Sequence, residues 1–483
     1  MTASSASSAS PASPTSSGPT VSVALFTSDL RLRDNPVLRA ALAAAEGVVP
    51  LFVLDRAVEE AGFAVPNRRA FLADCLAALD EGLRERGGRL VVRSGDPAEE
   101  TTRLVHECGA HEVHIAGGVS GYAQQRETRL RMALEEAGCA LRVHDAVITA
   151  VAPGALTPSG GRDHFAVFTP YFRRWSQAGR RTPLAAPRAV PVPEAPGSLR
   201  LPRREGARGA APGLARGGER AGRERWASWR RKGGLQRYGQ REGGQNDLGA
   251  DATSRLSPHL HFGSLSPVEL AHEAAAKGGA GAEAFVRQLA WRDFHHQVLA
   301  ARPAASYTDY RPHGDRWRGT EGDAEREIAA WREGRTGYPL VDAGMRQLLH
   351  EGWMHNRARL LAASFLTKTL YVDWRIGAAH FLAHLVDGDI ANNQLNWQWA
   401  AGTGTDTRPN RVLNPLTQAR SYDPQGTYVR RWVPELAAVE GAAVHRPWRL
   451  PAAERARLDY PEPVVDLGEG QARFRAARQR DRG

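Results

Sequence analysis

The chain has 483 residues, enough for two or three domains, and a formal net charge of +11. The charge favours a polyanionic partner such as nucleic acid, although a basic surface without a special role stays an alternative. The cysteines, Cys75, Cys108 and Cys139, are widely spaced, and no apolar run reaches membrane-spanning length. We therefore expect a reduced, cytosolic protein without a metal site or a membrane segment.

The first 20 residues are rich in Ser, Ala and Pro. They lack the apolar centre of a signal peptide and the arginines of a transit peptide. We predict a disordered tail over residues 1–20.

Residues 21–149 alternate short β-rich runs with amphipathic helical patterns. This alternation predicts a parallel sheet covered by helices, that is, a Rossmann-like α/β domain. The first turn after a strand, TSDLRLRDNP, contains no GxGxxG, so the ordinary dinucleotide-binding fingerprint is absent. The candidate strands are VSVALFT (21–27), VVPLFVLD (48–55), RLVVR (89–93), EVHIAG (112–117) and LRVHD (141–145).

Residues 150–225 are rich in Pro, Gly and Arg and predict a long surface connector. One segment within it, DHFAVFTPYFRRW (163–175), mixes aromatic and basic residues. We expect this segment to pack against the body of the protein.

Residues 226–466 carry long helical patterns and few strand patterns, which predicts an all-α C-terminal domain, followed by an arginine-rich tail over residues 467–483. All 12 tryptophans lie at or beyond Trp175. This asymmetry indicates that the two domains have different chemistry.

The segment TSRLSPHLHFGSLSP (253–267) has many hydroxyls and an arginine where the chain approaches a helix. Hydroxyls, backbone N–H groups and Arg255 would suit a pyrophosphate. A simple helix cap is the alternative that this segment alone favours.

The segment RQLAWRDFHHQ (287–297) puts Gln288, Trp291 and Arg292 on one helix face. These three side chains could hold an extruded base by hydrogen bonding and stacking. An ordinary interface helix with a buried tryptophan is the alternative. The adjacent His295 and His296 have no further ligand pattern, so we predict no metal site there.

The segment DGDIANNQLNWQW (387–399) crowds carboxylates, carboxamides and tryptophans between flanks that look like core. Buried polar groups need partners, and a large polar aromatic ligand such as a flavin would supply them. Asn393 and Trp397 are one helical turn apart and share a face. Arg359, in GWMHNRARL (352–360), is a candidate partner for Asp387.

Two further patterns allow more than one interpretation. Trp397, Trp374 and Trp317 could form a path for electrons, but the sequence alone favours three separate core tryptophans. The segment NPLTQARSYDPQGTYVRRWVPEL (414–436) predicts an ordered loop beside a site, with Arg411 and Gln418 able to meet phosphate.

Taken together, these segments resemble the DNA photolyase/cryptochrome family over residues 21–466, and they are most similar to the class I cyclobutane pyrimidine dimer photolyases of the deazaflavin type. Six motifs occur in family order, and the order makes the resemblance specific. They are TSRLSPHLHFG, WREGRTGYPLVDAGMRQL, GWMHNRARL, ASFLTK…DWR, DGD…NN…WQWAAGTGTD and NPLTQ.

The resemblance implies that the helical domain binds FAD. It implies that Asn393 faces the flavin N5 and that Arg359 pairs with Asp387 beside the flavin ring. The remaining implied cofactor-binding residues are Tyr238, Thr253, Ser254, Arg255, Leu256, Ser257, Gly388 and Asp389.

The resemblance also implies that Trp397, Trp374 and Trp317 carry electrons to FAD, and that Trp291 and Trp399 flank a flipped pyrimidine dimer. The other implied dimer or DNA contacts are Gln288, Arg292, Asn356, Arg357, Arg411 and Gln418. Gln288, Asn356 and Asn393 are the implied catalytic residues. In the implied reaction, excited FADH⁻ gives an electron to the dimer, the ring splits, and the electron returns.

The chain departs from the family pattern at a few positions. Gln288 stands where most cyclobutane-dimer enzymes have Glu, and an amide can donate a hydrogen bond at any pH but cannot transfer a proton. Leu360 replaces a common Met. Ser28 and Gly118 stand where relatives often carry Arg and Asp, which bears on binding of a second, antenna chromophore.

The resemblance therefore implies light-driven repair of UV-damaged DNA by a monomeric enzyme. A deazaflavin is favoured over a folate as the antenna. A six-four photolyase is one alternative. Gln288 favours it, whereas Asn356 and Leu360 stand where that class has His. A cryptochrome-type blue-light receptor without repair activity is the other.

Overall fold

The computed structural model describes residues 20–193 and 196–480. The predicted tail over residues 1–20 lies outside this part of the chain, apart from Thr20. Within the described residues, no helix is both long and apolar enough to span a membrane.

The amino-terminal part is built on a parallel sheet of five strands in the order β3-β2-β1-β4-β5. The central strand β1 pairs with β2 in the register Val23–Val49 and with β4 in the register Val23–Val113. Both faces are covered, so β1 is buried throughout, as expected for a doubly wound sheet. The strands are Val21–Phe26 (β1), Gly47–Asp55 (β2), Val91–Gly95 (β3), Ala110–Ala116 (β4) and Ala140–His144 (β5).

Helices on both faces of this sheet follow the predicted alternation of strands and helices. Asn35 and Asp96 cap two of them by accepting hydrogen bonds from backbone N–H groups, and a proline follows each cap. The α/β domain predicted from sequence is therefore confirmed. The helices are Pro36–Ala44 (α1), Arg56–Glu60 (α2), Pro66–Arg84 (α3), Pro97–Cys108 (α4) and Gly121–Glu136 (α5).

The connector contains helix α6, Phe168–Gln177, within the segment predicted to pack against the body. Phe168, Tyr171 and Trp175 are buried, and they join a core cluster with the helix Ala280–Ala301. The indole N–H of Trp175 donates to Asp293 at 2.9 Å. The packing prediction for this segment is therefore confirmed.

The carboxyl-terminal part is helical, as predicted, and its main core surrounds the buried Trp331, Trp374 and Trp397. Its first helices are Glu219–Arg231 (α7), Gly234–Arg237 (α8), Ser257–His261 (α9), Pro267–Lys277 (α10), Ala280–Ala301 (α11), Asp323–Glu333 (α12) and Pro339–Glu351 (α13). The helices that follow are Asn356–Ser364 (α14), Trp374–His384 (α15), Ile390–Ala401 (α16), Pro415–Tyr422 (α17), Thr427–Trp432 (α18), Ala452–Arg455 (α19) and Leu467–Arg480 (α20).

Two boundaries differ from the sequence-based expectation. Helix α7 begins at Glu219, so helical structure starts inside the predicted connector. The segment predicted as a basic tail forms α20, and Phe474 and Ala477 are buried against Tyr371. An arginine-rich stretch with few apolar residues gives little sign of this packing.

The two parts meet through the amino-terminal end of α3. The Asn67 amide donates to the carbonyl of His384, and Arg68 donates to the carbonyls of Leu382 and Leu385 at 2.6 and 2.7 Å. These carbonyls lie at the carboxyl end of α15, where a cation is favourable. The α/β domain thus fixes the chain just before the Asp387 turn.

Candidate functional site

The polar turn Asp387–Asp389 is held by cations on its inner side. Asp387 is buried, and one guanidinium nitrogen of Arg359 donates to its two oxygens at 3.1 and 2.8 Å. The Arg359 Nε donates to the carbonyl of Met354 at 2.8 Å. The predicted ion pair is therefore confirmed, and the buried charge of Asp387 is compensated.

Asp389 caps helix α16. Its carboxylate accepts hydrogen bonds from the backbone N–H and the side-chain amide of Asn392, at 2.7 and 2.8 Å. The His296 ring lies 3.2 Å from the other oxygen. Burial alone would raise the pKa of Asp389, but His296 and Arg292 hold it well below its ordinary value.

Arg68 approaches the same turn from the α/β domain. A Cβ atom on Gly388 would lie 2.5 Å from the Arg68 Nη1, so a side chain at that position would displace the arginine. Burial lowers the pKa of Arg68 to about 10, although the charge of Asp387 acts in the opposite direction. The Arg68 guanidinium thus packs directly against Gly388 in this turn.

Trp353 links the segment Thr253–Ser257 to Arg359, whose guanidinium lies over its ring at 6.0 Å. The indole N–H of Trp353 donates to the Ser257 hydroxyl at 3.0 Å, and Arg255 lies over its ring at 4.5 Å. Arg255 adopts a φ of 52°, which is strained for a residue other than glycine. Its guanidinium donates to Glu351 at 2.8 and 2.9 Å, so Arg255 shapes the segment rather than offering a free charge.

Some polar atoms in this region have no partner within the described residues. They are the Thr253 hydroxyl and the indole N–H of Trp397, and both are buried. Buried polar groups normally form hydrogen bonds, so each of these atoms fits a polar ligand such as FAD. Tyr238 is also buried, and its ring packs edge-on against Phe285.

Asn393 is buried on α16. Its amide nitrogen donates to the carbonyl of Ala378 at 3.2 Å and to Gln394 at 2.9 Å. Its side-chain carbonyl has no hydrogen-bond partner within the described residues. The carboxamide is therefore fixed in orientation while one polar atom is available to a ligand.

The three tryptophans of the predicted electron path lie in or against the segment 371–377. Trp397 packs so closely on Gly377 that a Cβ there would lie 2.2 Å from its ring. Trp374 is the first residue of α15, the helix that contains Gly377. It is fully buried, and its indole N–H donates to Asp309 at 2.8 Å. The Trp317 ring centre lies 5.0 Å from that of Tyr371.

A fourth tryptophan, Trp331, lies beside the proposed electron path. The Trp331 ring centre lies 6.0 Å from that of Trp397, and its N–H donates to the carbonyl of Ala362. Trp331 lies in one of the six motifs, but its spacing from Trp397 in the sequence does not reveal the contact.

The predicted lesion wall is built on two half-buried tryptophans. Phe168 of α6 stacks on Trp291 of α11, with ring centres 3.6 Å apart and planes at 6°. Arg411 lies over the ring of Trp399 at 5.1 Å. One face of Trp291 is thus covered, and only its other face can meet a base.

The other side chains predicted to contact the lesion or DNA differ in whether they already have a partner in the protein. Asn356 is exposed at the start of α14 and Gln288 is half-buried, and neither side chain forms a hydrogen bond within the described residues. Arg357 donates to Asn246 at 2.7 Å and lies 4.4 Å over the ring of Tyr422. The Gln418 carbonyl is buried without a partner.

Arg292 faces inward. Its guanidinium donates to the carbonyls of Ile148 and Leu260, and its charge acts on Asp389. It therefore joins the end of the predicted α/β domain, at Ile148, to helix α9, whereas the sequence pattern suggested a contact with DNA. The carbonyl partners lie far away in the chain and could not be read from helical spacing.

Comparisons with known proteins cover almost the whole chain. A family model described as DNA photolyase matches residues 22–193, and one described as the FAD binding domain of DNA photolyase matches residues 285–480. The chain is 66% identical to a deoxyribodipyrimidine photo-lyase of Streptomyces griseus, over 95% of this chain and 100% of that protein. It is 37% identical to a cryptochrome DASH of Natronomonas pharaonis, over 92% and 98%.

A solved structure has a similar fold. The crystal structure of a bacterial class III photolyase from Agrobacterium tumefaciens matches with a TM-score of 0.88 and 32% identity, over 98% of this chain and 100% of that one.

Proposed function

Because the chain belongs to the DNA photolyase family, we propose that it is a deoxyribodipyrimidine photolyase that uses light and FAD to split cyclobutane pyrimidine dimers in UV-damaged DNA. The observation that carries the proposal is the arrangement of side chains on α16. Asn393 and Trp397 lie on its buried side, and Trp399 lies on its half-exposed side beside Arg411. One helix can thus serve both a buried flavin and an incoming lesion.

FAD would be held by the buried polar groups of the helical domain. When bound and reduced, it supplies the photoexcited electron that opens the dimer and then takes the electron back. Asn393 would hold its carboxamide at the flavin N5, and Arg359 and Asp387 would lie beside the ring. The remaining proposed contacts are Tyr238, Thr253, Ser254, Arg255, Leu256, Ser257, Gly388 and Asp389.

The lesion would enter between Trp291 and Trp399 after leaving the DNA stack. The Phe168 platform keeps Trp291 in one orientation, and stacking on a fixed aromatic face is worth about 1–3 kcal/mol per base. Gln288 and Asn356 would donate hydrogen bonds to the carbonyls of the dimer. Arg357, Arg411 and Gln418 would contact the lesion or the neighbouring phosphates.

Gln288 sets a limit on the chemistry. A carboxamide donates a hydrogen bond to the dimer but cannot transfer a proton, so the dimer is stabilised by hydrogen bonding alone at this position. Leu360 is half-buried on α14 and carries no polar atom. Gln288 by itself favours the six-four alternative, but that class has His at the positions of Asn356 and Leu360. Neither an amide nor an alkyl side chain can act as an acid, which supports the cyclobutane dimer as the substrate.

We propose that Trp397, Trp374 and Trp317 carry electrons from the surface to oxidised FAD. The contacts with Gly377 and Tyr371 put all three against one short segment. Trp374 and Trp397 are buried in one core cluster, and Trp317 packs on its edge, which fits a path that ends near the surface.

An antenna chromophore, which we propose to be a deazaflavin, would fit the crevice at the carboxyl ends of the strands between β1 and β4. In doubly wound sheets, ligands bind at this point of reversal. The Arg126 Nε is buried there without a partner in the described residues, and Glu127 accepts from the Gly118 N–H at 2.7 Å. A Cβ on Gly118 would lie 2.3 Å from the Ala123 Cβ, so the Asp that is common in relatives does not fit this loop. An absorption spectrum of the purified protein tests for the chromophore.

The proposed partner is damaged duplex DNA, bound by a monomer in a reducing compartment. The three cysteines are unpaired, which supports that compartment. Size-exclusion chromatography with light scattering tests the monomer.

Lesion choice tests the proposed substrate. Reduced, FAD-loaded protein is illuminated with duplexes that carry one cyclobutane dimer or one six-four photoproduct. We expect restoration of the first and not of the second; restoration of only the second would overturn the proposal. A cryptochrome-type receptor, the second candidate because a cryptochrome is among the relatives, would restore neither.

A further inference from the structure

The chain contains only three lysines, although it has 64 lysines and arginines in total. Lys232 and Lys277 are exposed, whereas Lys368 is 1% exposed. Arginine is thus the usual cation of this protein, and the one buried lysine is an exception. A compact ammonium group can donate in several directions from one point, which a planar guanidinium cannot do.

Lys368 lies in a π-helical turn, Phe365–Thr369, that follows α14. Turns of this kind are rare and often occur at functional sites. The Lys368 ammonium donates to the carbonyls of Pro409 and Arg411, at 2.7 and 2.8 Å. A single buried cation thus fixes two points of the loop that follows α16.

Two further contacts restrain this loop, residues 402–413. The Ser364 hydroxyl accepts from the N–H of Leu413 at 3.1 Å. Gly402 packs so closely on Pro409 that a Cβ there would lie 2.4 Å from the Pro409 carbonyl oxygen. On its outer side, the loop exposes Arg408 and Arg411.

The shape of the loop determines where Arg411 lies. Its guanidinium is over the indole of Trp399 at 5.1 Å, and it forms no hydrogen bond within the described residues. A loop with free backbone would leave this long side chain many conformations. The two hydrogen bonds from Lys368 restrict that choice at the residue itself and at Pro409.

The buried ammonium is costly for folding. Burial lowers the pKa of Lys368 to about 7. Asp406 of the loop and Asp315 favour the charge, Arg478 of α20 and Arg411 oppose it, and the Phe474 ring lies 5.6 Å away. An apolar side chain would avoid this cost, so stability alone does not explain a lysine here.

We propose that Lys368 is a positioning residue for DNA binding, which holds the loop 402–413 in the shape that keeps Arg411 over Trp399. Within the described residues the Lys368 ammonium donates to the carbonyls of Pro409 and Arg411, so it acts through Arg411. The inference rests on the proposed function, since it assumes that Arg411 contacts the damaged strand.

A double-mutant cycle tests this role. Lys368→Met, Arg411→Gln and the double variant are compared for affinity toward a dimer-containing duplex in the dark. Lys277→Met is the control, because it removes one positive charge from an exposed site. Amide hydrogen exchange over residues 403–412, the FAD absorption spectrum and the repair yield at saturating DNA are measured on the same samples.

We expect Lys368→Met to weaken binding on the order of tenfold, which corresponds to about 1.4 kcal/mol. Exchange in the loop should rise, while the flavin spectrum and the repair yield at saturation stay unchanged. The Lys368→Met effect should disappear in the Arg411→Gln background. An undiminished effect in that background, or unchanged affinity and exchange, would overturn the proposal.

Two further measurements distinguish a failure of the Lys368 role from a misfolded variant and from a failure of the proposed function. If Lys368→Met does not fold, Lys368→Gln, which retains a donor, is expected to show the same pattern with a smaller loss, and a normal affinity for it would contradict the role. If the wild-type protein itself does not prefer damaged DNA, the proposed function fails. In that case, amide hydrogen exchange in the loop of the variant still shows whether the hydrogen bonds from Lys368 hold the loop.

Discussion

The ring of Phe168 lies flat against the indole of Trp291, with ring centres 3.6 Å apart. Phe168 belongs to the connector and Trp291 to the helical domain, so the connector forms the back of the proposed lesion wall. Arg287 lies over the ring of Phe168 at 4.9 Å and extends the stack. The connector therefore takes part in the site and does more than join two domains.

Replacing Phe168 by leucine should weaken binding of damaged DNA. Leucine keeps the position apolar but loses the flat platform, at a cost of about 0.5–1.5 kcal/mol for the aromatic pair. We expect dark affinity for a dimer-containing duplex to fall, with an unchanged FAD spectrum. Tyr171→Leu, on the same helix, is the control. Equal losses of affinity in both variants would indicate general loosening of the helix.

Replacing Asp387 by asparagine should release FAD. The change leaves Arg359 with an uncompensated charge in a buried place, which costs about 3–5 kcal/mol. The ratio of flavin to protein absorbance after gel filtration measures the loss. Asp323→Asn breaks an exposed pair with Arg326, and this control should retain full FAD. Full retention of FAD by the Asp387 variant would contradict the proposed contact.

Replacing Trp374 by phenylalanine should slow photoreduction of FAD without reducing repair by chemically reduced enzyme. Phenylalanine fills most of the buried space but is much harder to oxidise. Trp448→Phe is the control, because Trp448 packs on Tyr338 away from the proposed path. Normal photoreduction in the Trp374 variant would exclude this residue from the path.

Replacing Gln288 by glutamate should make repair depend on pH. The native amide donates a hydrogen bond at any pH, whereas a carboxyl group donates only while it is protonated. We expect a flat repair yield for the wild-type protein and a yield that falls for the variant as its carboxyl group ionises. Gln125→Glu, on the exposed side of α5, should behave like wild type. A flat profile for the Gln288 variant would indicate that this position does not touch the dimer.

The strands of the sheet could be predicted because each one is marked by a short run of β-rich residues in the sequence. All five predicted strands are present, each shifted by at most about two residues, a normal uncertainty for element ends. The pair Arg359–Asp387 was also predicted, because both residues stand in motifs with a known order.

Contacts between distant segments could not be predicted. Arg68 is one of two adjacent arginines in an amphipathic helix, and nothing in that pattern shows that it is buried behind Gly388. Arg292 shares a helix face with Gln288 and Trp291, yet its partners are the carbonyls of Ile148, at the end of the α/β domain, and of Leu260 in α9. In both cases tertiary packing, not helical spacing, determines where the guanidinium lies.

The central claim is that light drives the repair. A duplex with a single cyclobutane dimer is mixed with reduced, FAD-loaded protein, and half of the sample is kept dark while the other half receives blue light. We predict that the intact pyrimidines return only in the illuminated half, with many dimers restored per protein and no net oxidation of FAD. Equal restoration in the dark, or none in the light while FAD is bound and reduced, would contradict the account.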